Sequence, residues 1–337
     1  MERKEEQNRS FAEIDNCSKD HEFHEFLKTL EQQISWDGVR FVKYQGFWCA
    51  LYLFRQILSA QKHFKAKDSH IILASLPKSG TTWLKSLTFS IVNRNIYPNH
   101  EESPLFTCHT PHLFPNLEFD LYWEQENPNL QNIQNFSTHV PFHSLPKSII
   151  ESECRIIYIS RNPLDMFISY RHFSLENKFV KDATPFELDE AFDMFCRGIH
   201  IMGPFWDHVL GFWNAHLENP RKVLFLKYED LKEDVTFNVK KIAEFLGCPF
   251  SPEEEEQGVV EEITKLCSFE NLKKLEVNKN GHVYGIVKKS SYFRKGEVGD
   301  WINYLTPAMA ERMDKLIETK FKDSGLVFNT QSKVVKN

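Results

Sequence analysis

The sequence has no apolar run approaching the ~20 residues that a bilayer-spanning helix needs. Its first ten residues, MERKEEQNRS, are highly charged and contain no apolar segment of the kind a secretory signal carries. Metal and redox motifs are missing as well. Cysteines stand singly at Cys17, Cys49, Cys108, Cys154, Cys196, Cys248 and Cys267, an odd set with no ligand or dithiol spacing. Free thiols in a reducing compartment are the simple reading, and a cytoplasmic location is expected. Positive charge is in deficit, with a net charge of −6, so no global basic field draws nucleic acid or anionic lipid. Any anion must be met by local lysines and arginines. Internal repeats and low-complexity linkers are also lacking. A chain of 337 residues fits an undivided α/β domain. The expected organisation is a loose polar tail over 1–20, one domain over 21–330 and a short tail over 331–337.

What the sequence does have is phenylalanine. There are 29; most are expected to fill the core, leaving a remainder able to line a pocket for a flat, apolar ligand. The patterning is that of an alternating fold. HIILASL (70–76), RIIYISR (155–161) and KVLFLKYEDL (222–231) read as buried strands. TTWLKSLTFSIVNRN (81–95), NPLDMFISYRHF (162–173) and NVKKIAEFLG (238–247) read as helices, with Pro163 in a first turn and Gly247 at a C-terminus. Residues 44–64 begin with aromatics and turn helix-like, and 97–135 reads as a long, partly irregular excursion. Strands alternating with helices predict a central parallel sheet with helices on both faces.

The stretch SLPKSGTTW, 75–83, sits between a strand and a helix. That geometry aims backbone N–H groups and the positive end of the helix at one point, which suits phosphate. Gly80 permits close backbone approach, Lys78 adds a full charge, and Ser79, Thr81 and Thr82 add hydroxyl donors. The plainer reading is an ordinary helix cap beside a surface lysine. A Walker loop does not fit, because Lys78 precedes Gly80 and the first glycine is absent. Trp83 could stack on a purine or simply pack in the core.

PKSGTTW resembles the phosphosulfate loop of the cytosolic sulfotransferases, which use 3′-phosphoadenosine 5′-phosphosulfate (PAPS). Four further stretches resemble that family in order and spacing: RIIYISRNPLDMFISYRHF, FLKYEDL, LCSFENLKKLEVN and FRKGEVGDW. The match runs from about residue 45 to 328, and the wording of YQGFWC and LCSFENLKKLEVN is similar to the plant branch. The resemblance implies a single α/β domain built on a P-loop-like strand, loop and helix. It implies that Lys78 stabilises the leaving phosphate, helped by Ser79, Gly80, Thr81 and Thr82. It assigns Arg161, Ser169, Arg294, Lys295 and Gly296 to the 3′-phosphate, Trp83 and Phe269 to the adenine, and Tyr228 to the nucleotide. It selects His139, in NFSTHVPFHSLP, as the general base. The chemistry alone leaves His143 open, and His109 and His112 are candidates to touch the acceptor. No metal is implied.

Sulfuryl transfer resembles phosphoryl transfer, with in-line displacement and charge building on the bridging oxygen. A hydroxyl acceptor needs its proton removed, which suits a neutral imidazole. The implied reaction is transfer from PAPS to a small hydroxylated acceptor of phenolic, flavonoid, steroid, hydroxyjasmonate or desulfoglucosinolate type. Aromatics around 45–48, 106–114, 142 and 173 are expected to line its pocket. An ATP-dependent P-loop kinase and a non-catalytic nucleotide binder are the alternatives. Two departures from animal members stand out. Ser137 occupies a position where some carry a lysine, leaving more for Lys78 to do. In INYLTPAMAE, Ile302 and Pro307 replace a lysine and a valine of a dimer motif, so a monomer is expected.

Overall fold

The computed structural model describes residues 21–97, 102–120 and 133–328. Both expected tails and part of the 97–135 excursion lie outside the described residues. In chain order, a short helix (His21–Lys28) precedes a three-stranded antiparallel sheet: β1 (Gln32–Ile34), β2 (Arg40–Tyr44) and β3 (Phe47–Ala50). Helix α1 (Leu51–His63) follows, then strand β4 (Ile71–Ser75) and helix α2 (Thr81–Asn93). Next are β5 (Asn135–Thr138), β6 (Arg155–Ser160), α3 (Pro163–Asn177), α4 (Phe205–Glu218), β7 (Val223–Lys227) and α5 (Val235–Phe245). The chain closes with α6 (Val259–Leu266), α7 (Phe269–Lys274), a small hairpin of β8 (His282–Val283) and β9 (Val287–Lys288), and α8 (Pro307–Lys320).

The central sheet is parallel throughout, in the order β5-β4-β6-β7. Its strands are short runs of branched apolar residues, which suits burial on both faces. Alternation splits them between two cores. Ile156 and Tyr158 pack with Phe136, Phe212 and Phe225 on one side. Ile157 and Ile159 pack with Leu84, Leu87 and Ile91 of α2 on the other. Leaving β4, the chain goes first to β5 on one side and then to β6 on the other. The reversal places a topological switch point at the C-terminal ends of β4 and β6, where open α/β sheets form their crevices.

The sequence reading missed β5, whose NFST holds one large apolar residue and gives little pattern. It also missed β3, where FWCA is buried at every position. The third expected strand ends early, at Lys227. Tyr228 opens a short helix to Glu233.

Candidate active site

Each of the four parallel strands delivers one part of the site from its C-terminal end. From β4 the chain turns through Lys78 and Gly80 into α2. Gly80 is the N-cap of α2 with φ of 105°, a left-handed conformation that glycine adopts freely. A Cβ there would lie 2.7 Å from the Tyr228 ring. The Ser75 and Thr81 hydroxyls lie 2.6 Å apart and tie the strand to the helix start. Lys78 is half-buried. Its Nζ donates to the Ser291 carbonyl at 3.3 Å and sits 4.1 Å above the Phe173 ring. Burial, then the nearby Arg161 and Arg294, pull its pKa down to about 7. An ammonium made costly in this way gains much from an arriving anion.

From β5 comes His139. Its Nδ1 lies 2.7 Å from the Ser75 carbonyl oxygen, which only accepts. The proton therefore sits on Nδ1, leaving the Nε2 lone pair free. Burial lowers the ring's pKa to about 4, so it is a neutral imidazole at neutral pH. The backbone around it is clamped. Glu118 is fully buried and accepts from the His139 N–H at 2.5 Å and from the Thr138 hydroxyl at 3.0 Å. Burial raises that carboxyl to about 7. On the other side, His208 Nε2–H donates to the His139 carbonyl at 2.9 Å, and the Tyr158 hydroxyl donates to His208 Nδ1 at 3.0 Å. His143, four residues on, is exposed and hydrogen-bonds the Gln45 carbonyl.

From β6 and β7 come Arg161 and Tyr228, which hold the 294–301 loop. Arg161 donates to the Glu297 carbonyl at 2.6 Å, and its guanidinium lies 4.6 Å over the Tyr228 ring. The Tyr228 hydroxyl donates to the Gly296 carbonyl at 2.9 Å. Asp165, buried in the first turn of α3, accepts from the Gly299 and Trp301 N–H groups at 2.7 and 3.0 Å. Gly296 has φ of 69°, and a Cβ there would meet the Phe269 ring at 2.5 Å, so only glycine fits under that ring. Arg294 and Lys295 both pair with the Asp300 carboxylate, at 2.6 and 2.5 Å.

These parts face one cleft. Every residue expected to catalyse or to hold the nucleotide lines it except Ser79, which is buried beneath with its N–H on the Leu76 carbonyl at 3.2 Å. Trp83 and Tyr228 meet edge to face at 5.6 Å, with Lys232 above the indole at 5.8 Å. At this end the Trp83 indole N–H and the Nε of Arg161 and Arg294 are buried without a hydrogen-bond partner. Orphaned donors beside two guanidinium groups fit an anionic nucleotide. Among the described residues no group of three or more His, Cys, Asp or Glu is arranged to hold a metal ion.

The other end differs from expectation. Phe47, Trp48 and Phe114 are core residues, and Phe142 packs on Phe212. Phe173 does line the cleft, joined by Tyr52, Phe119, Tyr170, Phe179 and Tyr284. His109 is bound to Asn278 at 2.8 Å, and His112 stacks on Tyr284. The Tyr284 hydroxyl donates to Asp120. Sequence reasoning passed over Glu118, Asp120, Asp165, His208 and Lys85. Asp165 alone had a signal, an acid in the first turn of a helix beginning N-P-L-D.

The sulfotransferase domain model matches residues 68–325. A flavonol 4′-sulfotransferase of Flaveria chlorifolia is 48% identical over 309 residues, covering 90% of this chain and 96% of that one. Cytosolic sulfotransferase 5 of Arabidopsis thaliana is 46% identical over 307 residues, covering 90% and 95%. The crystal structure of a mouse sulfotransferase complexed with PAP superposes with a TM-score of 0.65 at 28% identity, covering 84% and 95%. The chain belongs to the sulfotransferase family, and it is an enzyme of the PAPS-dependent class.

Proposed function

We propose that this enzyme moves the sulfuryl group of PAPS to a hydroxyl of a small, largely apolar acceptor, with His139 as general base. The observation that carries the reading is the bond from His139 Nδ1–H to the Ser75 carbonyl. It fixes the free Nε2 as a base beside the end of β4, the strand that leads into the Lys78 loop. PAPS, when bound, supplies an activated sulfuryl group on a phosphate leaving group. Lys78 and the α2 N-terminus bind that phosphate and stabilise its developing charge. Arg161, Ser169, Arg294, Lys295 and Gly296 bind the 3′-phosphate; Trp83 and Phe269 hold the adenine. Tyr228 spends its hydroxyl on Gly296, so it braces the nucleotide site with its ring.

The rings of Tyr52, Phe119, Phe173, Phe179 and Tyr284 around the cleft favour a flat acceptor. A phenolic compound of flavonoid type fits this best, and the similarity to a flavonol 4′-sulfotransferase supports it. Steroid, hydroxyjasmonate and desulfoglucosinolate acceptors belong in the same screen. The proposed enzyme acts in the cytosol as a monomer, its catalytic domain spanning 21–330.

Calorimetry with adenosine 3′,5′-bisphosphate, followed by a mass-spectrometric sulfation screen with PAPS, tests the reading. Binding without magnesium and sulfated product are expected. Preference for ATP with magnesium would instead mark a kinase, and binding with no product from any acceptor a nucleotide-binding protein.

A further inference from the structure

Lys85 is a buried lysine that the reaction as described above does not use. It lies one turn after Thr81 on the same face of α2, the face whose first hydroxyl meets Ser75 beside His139. It is 5% exposed yet lines the cleft. Its Nζ donates to the carbonyls of Pro111 and Phe114, at 2.6 and 2.9 Å. An ammonium has three N–H donors, so one is uncommitted among the described residues. Among those residues no carboxylate lies close enough to pair with it. Glu118 is spent on His139 and Thr138, and Asp120 on the Asn116 N–H and the Tyr284 hydroxyl. The Ser137 hydroxyl donates to the same Phe114 carbonyl, at 3.1 Å. The Lys85 ammonium thus shares an acceptor with the Ser137 hydroxyl, although it arrives from a different element.

A buried ammonium whose two partners are neutral carbonyls, with Asp120 and Glu118 acting on it only from beyond pairing distance, is costly unless an anion comes closer. The proposed phosphate-binding groups come from the β4 and β6 loops, whereas Lys85 is tied to the 111–114 segment, which leads to Phe119 in the opposite wall of the cleft's lining. We propose that Lys85 is the acceptor-side cation of the transfer reaction, donating its uncommitted N–H to the acceptor oxygen while His139 removes the proton. The proposal rests on the sulfotransfer reading. In the step, the acceptor O–H proton passes to His139 Nε2, the acceptor oxygen bonds to sulfur, and the bond from sulfur to the carrier's phosphate oxygen breaks. Adenosine 3′,5′-bisphosphate leaves with that electron pair, and Lys85 stays protonated throughout. This revises the expectation that Lys78 must carry the charge missing at 137: two lysines share it, one at each end of the transferred group.

The test compares Lys85→Gln and Lys85→Arg with wild type on acceptors graded from acidic phenols to aliphatic alcohols. Lys85→Gln should lose about 10²-fold in kcat on the alcohols and about tenfold on the most acidic phenols, by analogy with removing a single oxyanion donor. Lys85→Arg, still charged, should keep the wild-type dependence on acceptor acidity. Affinity for adenosine 3′,5′-bisphosphate should be unchanged in both, which also reports folding. An equal loss on every acceptor would assign Lys85 to tethering the 111–114 segment alone and overturn the proposal. If Lys85→Gln does not fold, Lys85→Arg decides alone: a dependence that steepens despite the retained charge overturns it. A wild type that binds the bisphosphate but sulfates nothing would defeat the sulfotransfer reading itself, separately from any difference among variants.

Discussion

The two ends of the cleft are built by different rules. At the nucleotide end, Lys78, Arg161 and Tyr228 follow directly from the ends of β4, β6 and β7, and backbone carbonyls and N–H groups lock the 294–301 loop onto them. At the acceptor end, the walls come from α1, the segment after Phe114, α3 and the β8–β9 hairpin, and they meet through ring packing and a few side-chain hydrogen bonds, Tyr284 to Asp120 and the Lys288 N–H to Asn177. The first end is set by topology and short local stretches, so its geometry tolerates little change. The second can change ligand by changing one ring.

His139 stands where the ends join, and its loss should separate binding from chemistry most sharply. Replacing it by Ala should cut kcat at least about 10²-fold, the usual worth of a general base, while calorimetric affinity for the bisphosphate holds. Weakened nucleotide binding of the same size would place His139 on the wrong side of the comparison. The next largest effect belongs to the nucleotide end. Asp165→Ala strands the Gly299 and Trp301 N–H groups and should weaken bisphosphate binding about tenfold, leaving acceptor KM untouched. A shift in acceptor KM would show that the ends are coupled through the loop.

Acid probes the shared centre. The folded pKa values of His139 and His208 are held by burial at about 4 and about 3, below the usual 6.5. Between those values and 6.5 the unfolded chain binds the protons and the folded chain does not. Stability therefore falls as pH drops below about 6.5 and levels off once the folded imidazoles are protonated near pH 4 to 3. Melting temperature followed from pH 7 to 4 should decline, while kcat/KM of the folded enzyme shows no falling acid limb above about pH 5. An activity limb near pH 6.5 would mean that His139 is not shielded. The smallest effect is expected at the acceptor end. Tyr284→Phe removes the bond to Asp120, worth about 1 kcal/mol, and should move acceptor KM a few-fold with no change in bisphosphate affinity.

The sequence exposed these ends unequally for the same reason. HIILA, RIIYIS and VLFLK announce buried parallel strands by composition alone, and the loops behind them carry charge, glycine and hydroxyls within a few residues. Strand β5 has no such signature; NFST becomes a strand because Ile71 to Ala74 of β4 offer it a parallel partner. Phe47, Trp48 and Phe142 look like pocket residues in the chain and are packing residues in the fold, since an aromatic reads the same in either place. Tyr284 and Tyr52 are 232 positions apart, so only the folded hairpin and α1 could show that they share a wall. Glu118, in a segment with no periodicity, becomes intelligible once β5 brings the His139 N–H to it.

The hydrogen bond that fixes the imidazole's orientation also closes its far side. Nδ1 faces the Ser75 carbonyl, which has no way to carry a proton onward, and the Tyr158–His208 chain ends on a backbone oxygen, so neither offers an inward relay. A hydrogen ion collected at Nε2 must depart by the route it entered. In the proposed reaction, each turnover would then end with the base discharging into water through the cleft mouth.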